Sequence, residues 1–296
     1  MSDDTLLAQE FEEHRQHLHA VAYRMLGTTG EADDAVQEAW LRLSRSDTSE
    51  VENLGGWLTT VVGRVSLDLL RSRKARREES LEETHVPDPI VSSADGTDPE
   101  QEALLADSVG LAMLVVLETL SPAERLAFVL HDMFGVSFDE IAPIVGRSPA
   151  TARQLASRAR RRVRGAPAVP DADLARQREV VDAFLAAARE GDFDGLLAVL
   201  DPDVVLRADG GALQGVRASR EVHGAREVAQ QALTFASVAR FAQPALVNGA
   251  AGVVVAPGGR PFAVMGCTIR DGKIVEMDIL ADPERLDQID LTVLED

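Results

Sequence analysis

Two closely spaced helix start signals constrain this chain most. Residues 137–164 read SFDEIAPIVGRSPATARQLASRARRRVR. Ser137, followed three residues later by Glu140, forms a capping box and predicts that a helix begins there. Gly146 is expected to end this helix, and the Ser-Pro pair at 148–149 to begin a second one. Two helices joined by a short turn that contains glycine make a helix-turn-helix.

The second of these helices is strongly basic. The stretch from Arg147 to Arg164, which includes this helix, holds seven arginines and no acid. In a helix-turn-helix, the N-terminal residues of the second helix contact base edges in the DNA major groove, and basic residues contact phosphates. A solvated basic helix in an ordinary bundle is the alternative. Ile141, Val145 and Leu155 are expected to pack the two helices together, although Pro143 should cost the first helix about 3 kcal/mol.

Composition favours a multidomain protein of the cytoplasm. The 296 residues suffice for two or three domains, and the single cysteine, Cys267, permits no internal disulfide. The chain lacks an apolar run near the roughly 20 residues of a membrane span, and its acidic N-terminus lacks the pattern of a signal peptide. Although the net charge is −19, positive charge is concentrated at residues 71–77 and 147–164. Local stripes of this kind bind DNA, but the surrounding acid predicts that tight binding requires a partner.

Changes in composition divide the chain into five segments. We predict a helical domain over residues 1–77, an acidic linker over 78–107, a second helical domain with the helix-turn-helix over 108–165, a short linker over 166–170 and a third domain over 171–296. The acidic linker carries ten acids and no lysine or arginine. It is either a disordered spacer or a mimic of nucleic acid, and its HVPDPI stretch is a candidate to dock as an extended segment.

The third domain is predicted to be α+β. Two helical patterns precede four segments of strand character, at residues 204–209, 251–257, 262–270 and 273–280. Asp271-Gly272 is a strong hairpin signal between the last two segments. Helices followed by an antiparallel sheet indicate an α+β fold.

The first two domains resemble sigma factors of the extracytoplasmic-function type, in the sigma-70 family. GEADDAVQEAWLRL is similar to the region-two helix that binds RNA polymerase, and NLGGWLTTVVGRVSLDLLRSRKARR to the segment that melts the downstream promoter element. LSPAERLAFVLHDMFGVSFDEIAPIVGRSPATARQLASRARRRVR resembles region four, which reads the upstream element. The resemblance covers nearly all of residues 6–165 and implies two all-α sigma domains, with core RNA polymerase and promoter DNA as partners.

The third domain resembles SnoaL-like proteins, whose cone-shaped fold is shared with ketosteroid isomerases. A sigma factor subgroup that carries such an extension has Asp-Gly-Gly-Gly-Lys, Asn-Pro-Asp-Lys-Leu and Pro-Glu-Pro motifs. The first is matched at residues 209–211, where Ala212 and Leu213 replace its last two residues. The second is matched in part at 282–286, and the third is paralleled at 87–89. The resemblance implies control of the sigma domains in cis by Pro87, Asp88, Pro89, Asp209, Gly210, Gly211, Asp282, Pro283, Glu284, Arg285 and Leu286.

The sigma factor resemblance also implies three contact surfaces. The polymerase-binding residues are Asp33, Asp34, Gln37 and Glu38. The downstream element is expected to contact Asn53, Arg64, Arg71, Arg73, Lys74, Arg76 and Arg77, with Asn53 and the loop at 44–53 holding a flipped base. The upstream element is expected to contact Arg147, Ser148, Thr151, Arg153, Gln154, Arg158, Arg161 and Arg162. Trp57 is expected to lie in the core.

The chain is not expected to be an enzyme. Asp209 and Asp278 are the candidate general bases in a cone fold, but Asp278 shares a strand face with Glu276 and is expected to point to solvent. The six histidines lack metal-site spacing, so no metal or cofactor is expected. Two alternatives stay open: a stand-alone helix-turn-helix regulator with a ligand-sensing domain, and an isomerase or cyclase fused to DNA-binding helices. A small ligand or protein at the third domain is a further possible partner.

Overall fold

The two predicted helices of the helix-turn-helix form as their capping residues indicate. In the computed structural model, Ser137 Oγ accepts a hydrogen bond from the Glu140 N–H at 3.3 Å, and the Ser137 N–H donates to the Glu140 carboxylate at 3.1 Å. Gly146 ends the first helix in the left-handed region, with φ of 66°. Glycine adopts that conformation without the steric cost that a Cβ atom imposes.

The structure describes residues 3–46, 51, 53–77, 85–93, 110–164, 171, 173–213, 215, 218–289 and 291. They form two compact units, one of Met1–Leu81 with Val116–Ala166 and one of Glu82–Val115 with Pro167–Asp296. This grouping differs from the predicted boundaries. The helices of the first two predicted domains share a unit, and the central segment of the predicted linker belongs to the third domain.

The first unit is helical. Its elements are α1 (Asp3–Leu26), α2 (Thr29–Leu43), α3 (Leu54–Arg77), the end of α4 (Leu111–Glu118), α5 (Pro122–Phe128) with a π-helical turn (Val129–Met133), α6 (Phe138–Val145) and α7 (Pro149–Arg164). A Cβ atom at Gly63 of α3 would lie 3.1 Å from Leu130 Cδ1, so glycine permits close packing there. Arg125 Nη1 donates to the Met25 carbonyl at 2.9 Å and joins α5 to the end of α1.

Small side chains form the buried face of α7. Ala152, Ala156 and Ala159 are all fully buried, whereas Leu155, predicted as a packing residue, is half-buried. Ile141 and Val145 of α6 are buried as predicted. The ring of Pro143 is exposed, and α6 continues through it to Val145.

The second unit is α+β. Its elements are β1 (Val91–Ser93), the start of α4, α8 (Leu174–Glu190), α9 (Phe193–Val199), β2 (Leu200–Asp209), β3 (Arg220–His223), α10 (Ala225–Thr234), α11 (Ala236–Ala239), β4 (Ala242–Val247), β5 (Ala250–Val255), β6 (Ala263–Arg270), β7 (Lys273–Leu280) and α12 (Pro283–Leu286). The four predicted strands are present as β2, β5, β6 and β7.

The seven strands form one sheet in the order β1-β4-β5-β6-β7-β2-β3. β2 and β7 pair in parallel, and the other neighbours pair antiparallel. Asp271 and Gly272, with φ of 52° and 73°, turn β6 into β7 as predicted. Asn248 and Gly249, with φ of 50° and 78°, make the equivalent turn between β4 and β5.

The edge strand β1 comes from the segment that was predicted to be a linker. Val91, Ser92 and Ser93 pair with β4, and the Asn248 N–H donates to the Ile90 carbonyl at 2.8 Å. The same two residues form a second hydrogen bond, in which Asn248 Oδ1 accepts from the Ile90 N–H at 3.1 Å. The expectation that HVPDPI docks as an extended segment therefore agrees with the structure.

An apolar cavity of about 130 Å³ lies between one face of the sheet and helices α8, α10 and α11. Phe184 and Leu185 of α8 face Met265 of β6 and Met277 of β7 across it. Among the helices that the structure describes, none combines the length and apolar character needed to cross a membrane.

Candidate functional site

An arginine of α12 joins the third domain to the segment before β1. Arg285 Nη1 donates to Asp209 Oδ2 at 2.7 Å, and its Nε donates to Asp88 Oδ1 at 2.7 Å. Its Nη2 donates to the Val86 carbonyl at 2.6 Å and also to Asp88. We call His85, Val86, Asp88, Asp209 and Arg285 the linker cluster.

Asp209 is the acceptor at the centre of the linker cluster. Its Oδ2 accepts from the Val86 N–H at 3.0 Å and lies 3.2 Å from His85 Nδ1, while its Oδ1 accepts from the Gly211 N–H at 3.0 Å. Burial raises the pKa of Asp209, but hydrogen bonds from His85, Val86 and Gly211, with the charge of Arg285, outweigh it and lower the pKa to about 2. Asp209 is therefore held as a carboxylate.

The matched motif at 282–286 orients Arg285. Asp282 caps α12, since its Oδ1 accepts from the Glu284 N–H at 2.9 Å, and Pro283 occupies the first turn. Gly211 has φ of 56°, and a Cβ atom there would lie 2.2 Å from Asp282 Oδ2. The two matched motifs thus touch each other, and glycine at position 211 is required by both conformation and space.

The structure brings together all three predicted regulatory segments. Pro87 and Pro89 are buried beside Asp88, next to the residues of 209–211 and 282–286. The contacts described above hold Val86 and Asp88, which lie between α3 and α4 in the chain. Their regulatory role stays a prediction.

Asp278 and Glu276 do not point to solvent, so that prediction was wrong. Asp278 faces away from the cavity, as the strand pattern indicated, but it is 2% exposed and Glu276 is 4% exposed. Arg207 of β2 lies between them, with Nη1 at 3.2 Å from Asp278 and Nη2 at 3.3 Å from Glu276. Burial raises the pKa of both carboxyls above their ordinary values, and Arg207 opposes that rise.

The predicted upstream-element residues lie mostly on the exposed side of the helix-turn-helix. Thr151 is half-buried, and its N–H donates to the Ser148 hydroxyl at 3.3 Å, which caps α7. The Arg153 guanidinium lies 5.2 Å from the centre of the Phe138 ring, and Arg162 pairs with Glu124 at 3.1 Å. The exposed side chains of the set are Arg147, Ser148, Arg153, Gln154, Arg158, Arg161 and Arg162.

The predicted polymerase-binding residues share the solvent side of α2. Asp33, Asp34 and Gln37 are exposed, and Glu38 is half-buried and accepts from Arg42 Nε at 2.9 Å. The opposite side of α2 is buried through alanines, valine and leucine.

The basic residues of α3 have different environments. Arg64, Arg71 and Lys74 are exposed. Arg73 is largely buried: it forms an ion pair with Glu31, donates to the Leu26 carbonyl at 3.0 Å and lies 3.9 Å from Glu118. It is thus engaged within the first unit, in contrast to the phosphate contact predicted for it. The side chains of Arg76 and Arg77 lie outside the described residues.

Trp57 lines a groove with basic walls, whereas it was expected in the core. It is half-buried, with Thr60 and Arg64 of α3 on its side and Arg42 and Arg45 opposite. Sequence reasoning singled out neither of these opposing arginines, although Arg42 just before the proposed loop at 44–53 and Arg45 within it were a usable signal. An aromatic face among arginines suits stacking of an unpaired base.

Asn53 caps α3 next to this groove. Its Oδ1 accepts from the Gly56 N–H at 2.9 Å. This local capping role accounts for the asparagine at the start of α3. A contact with a flipped base stays a prediction, and residues 47–50 and 52 of the proposed loop lie outside the described residues.

Three family matches follow the order of the segments described above. Residues 11–76 match Sigma-70 region 2, residues 111–163 match Sigma-70 region 4, and residues 181–277 match the SnoaL-like domain. This combination defines a sigma-70-type transcription protein with an appended SnoaL-like domain, and it confirms the predicted fold class.

Relatives match over nearly the whole chain. ECF RNA polymerase sigma factor SigJ of Mycobacterium tuberculosis is 42% identical, over 93% of this chain and 92% of its own. A probable ECF RNA polymerase sigma factor, SigI, of the same organism is 37% identical over 98% of both chains. The crystal structure of SigJ has a TM-score of 0.76 and 38% identity, and covers 96% of this chain and 100% of its own. This chain belongs to the extracytoplasmic-function RNA polymerase sigma factors. The stand-alone regulator is therefore not favoured.

Proposed function

We propose that this sigma factor binds core RNA polymerase, directs initiation at specific promoters, and is modulated in cis by its third domain through the linker cluster. The observation that carries the cis role is Arg285, which binds Asp88 of the segment before β1 and Asp209 of the third domain at once. Its cytoplasmic location follows from its proposed partner, the polymerase.

The position of the cluster in the chain explains how it acts. Residues 85–93 follow the region-two helices, and α7 ends region four before the third domain begins. When Arg285 holds Asp88 against Asp209, the chain forms a closed loop that contains all of region four. Closing a loop restricts how far its members can move, and opening it restores that freedom. The cluster thereby controls the reach of region four relative to region two.

The cis role is tested by core-dependent transcription with four full-length or truncated proteins. The comparison uses the unmodified chain, the fragment 1–170, Arg285→Ala and the control Asp287→Asn, whose exposed side chain lies two residues after Arg285. Promoters are selected from a random fragment library with core polymerase and the unmodified protein. Arg285→Ala should shift transcript yield in the same direction as the truncation, and Asp287→Asn should leave it unchanged.

Equal transcription by the unmodified chain, the fragment and Arg285→Ala, with equal polymerase affinity, would contradict the cis role. That outcome would not contradict the proposed role in directing initiation at promoters, because the presence of any core-dependent transcript tests that role. The free chain should bind promoter duplex weakly at about 0.15 M salt and specifically once polymerase is added. Tight, specific binding by the free chain would instead support a stand-alone regulator.

The exposed residues of α7 support promoter reading by region four. Arg153 and Gln154 lie in its first turns, and Arg162 lies in its last turn. Substituting either of the first two with alanine should reduce selectivity between upstream elements by about 1–3 kcal/mol in a competition assay. Arg162→Ala should weaken binding to all sequences about equally. A uniform loss with Arg153→Ala would show that the reading surface lies elsewhere.

The third domain is proposed to act without catalysis. Among the described residues that line its cavity, Arg220 and Gln231 are the polar ones, and the remainder are apolar. Neither Asp209 nor Asp278 lines the cavity, so the two candidate bases lie away from any substrate bound there. An isomerase of this fold needs a general base inside the cavity.

A further inference from the structure

The cavity of the third domain has the size and lining of a site for a small molecule. At about 130 Å³ it approaches the roughly 150 Å³ cavity that binds benzene in an engineered protein. Phe184, Met265 and Met277 supply its apolar walls. Phe235, Val238 and Phe262, which also line it, are half-buried, so the cavity reaches the surface of the domain.

One positive charge faces this apolar space. Arg220 lies directly opposite Ala208 in the β2–β3 pairing, and both residues line the cavity. Residues opposite each other in an antiparallel pair project from the same face of the sheet. The guanidinium lies 5.7 Å from the centre of the Phe235 ring and donates to the Ala218 carbonyl at 3.1 Å.

The surroundings of Arg220 favour an anionic group. Burial lowers the pKa of Arg220, yet a guanidinium stays protonated at any physiological pH. A charge beside apolar walls is less screened than one in water, so a carboxylate gains more from meeting it there. The planar fork of the guanidinium also matches the two oxygens of a carboxylate. Among the described lining residues, Arg220 is the charged one.

We propose that this cavity binds a small apolar carboxylic acid, with its carboxylate on Arg220 and its ring or short alkyl body among Phe184, Met265 and Met277. The site does not depend on the role of the linker cluster. It is nevertheless adjacent to that cluster, because Ala208 precedes Asp209 and the N–H of the lining residue Ala281 donates to the Asp209 carbonyl at 2.7 Å.

Calorimetric titration of the full-length protein tests the proposal with three acids and their neutral amides. The probes are benzoate, 3-phenylpropanoate and hexanoate, each beside the carboxamide of the same carbon skeleton. At least one acid should bind saturably and at least about tenfold more tightly than its amide, because a charge-assisted hydrogen bond is lost in the amide. This comparison needs no variant and so does not depend on folding.

Three variants locate the site. Arg220→Gln should reduce the affinity of the acid to that of the amide, and Ala232→Leu should weaken both by filling the cavity. Arg226→Gln is the matched control, since Arg226 is exposed and lies over Phe193 outside the cavity. The proposal is overturned if none of the acids binds saturably at millimolar concentration, if acid and amide bind equally, or if folded Arg220→Gln or Ala232→Leu binds as the unmodified protein does.

Discussion

Two arginines of the third domain each bind two buried carboxyl groups, but the pKa of Asp209 at one site shifts in the opposite direction to those of Glu276 and Asp278 at the other. Arg285 binds Asp88 and Asp209, and the pKa of Asp209 falls to about 2. Arg207 binds Glu276 and Asp278, and the pKa of both rises. An arginine is present at both sites, so its presence does not decide whether the neighbouring carboxyl groups have raised or lowered pKa values.

Additional hydrogen-bond donors make the difference. Asp209 interacts with the His85 side chain and accepts from the N–H groups of Val86 and Gly211 in addition to Arg285, and these donors replace the water that burial removes. Among the residues that the structure describes, Arg207 supplies the hydrogen bonds to the Asp278 and Glu276 carboxyl groups, and desolvation dominates their pKa values. A carboxylate that is fixed by backbone donors of another segment holds that segment in place. We therefore describe the linker cluster as a latch, because it fixes the segment before β1 against the third domain. The contacts of Arg207, in contrast, lie within the sheet.

The largest expected effect comes from Arg285→Ala. This change leaves Asp88 and Asp209 buried without their guanidinium, which costs about 3–5 kcal/mol for a buried pair that loses one partner. Urea unfolding of the second unit should show the loss at every pH from 5 to 8, because Asp209 ionises well below that range. The control Asp287→Asn, at an exposed position, should unfold as the unmodified chain does. A loss below about 1 kcal/mol would put the cluster among weak surface contacts.

Arg207→Gln should have a smaller effect that depends on pH. Glu276 and Asp278 already have raised pKa values, so they can take up protons when the guanidinium is removed. A carboxyl whose pKa is raised by folding destabilises the fold as the pH rises above its unfolded value. The loss should therefore be near zero at pH 5 and reach about 2–3 kcal/mol at pH 8. A loss independent of pH over this range would remove the contrast between the two sites.

The sequence predicted local features of the chain better than it predicted their surroundings. The capping box at Ser137 and the hairpin at Asp271 are set by neighbouring residues, and both formed as expected. Strand alternation placed Asp278 on the face away from the cavity, but it carries no information about what covers that face. Its burial was therefore missed.

The partner of the matched motifs was also beyond sequence reasoning. The resemblance grouped residues 209–211, 282–286 and 87–89 by function, yet a contact between Asp88 and Arg285 spans 197 positions of the chain. The periodicity of a sequence does not indicate a contact between residues so far apart in the chain. Strand β4 was also missed, because Pro244 is unusual within a strand. Its neighbour β1 lies at the edge of the sheet, and tertiary packing sets that position.

The smallest of the expected stability effects comes from Asp209→Asn. The folded pKa of Asp209 lies below its unfolded value of 3.8, so its carboxylate stabilises the fold above pH 4 and this contribution is lost as the pH falls towards 2. The shift corresponds to about 2 kcal/mol. Asp209→Asn should be less stable by that amount at pH 7 and should lack this part of the acid-induced loss. The control Asp203→Asn, at an exposed position, should keep this acid-induced loss of stability. Equal dependence of stability on pH for the two variants would contradict the assignment of that loss to Asp209.

Hydrogen exchange at the Val86 and Ile90 amides tests the latch most directly. Both N–H groups donate to side chains of the third domain, to Asp209 at 3.0 Å and to Asn248 at 3.1 Å. In the full-length protein at pH 7, Arg285→Ala should speed exchange of Val86 at least about tenfold and of Ile90 to a lesser degree, while Arg207→Gln should leave the pattern of residues 85–93 unchanged. Unchanged protection of Val86 in folded Arg285→Ala would contradict the account, because the segment would then be held without the arginine that defines the latch.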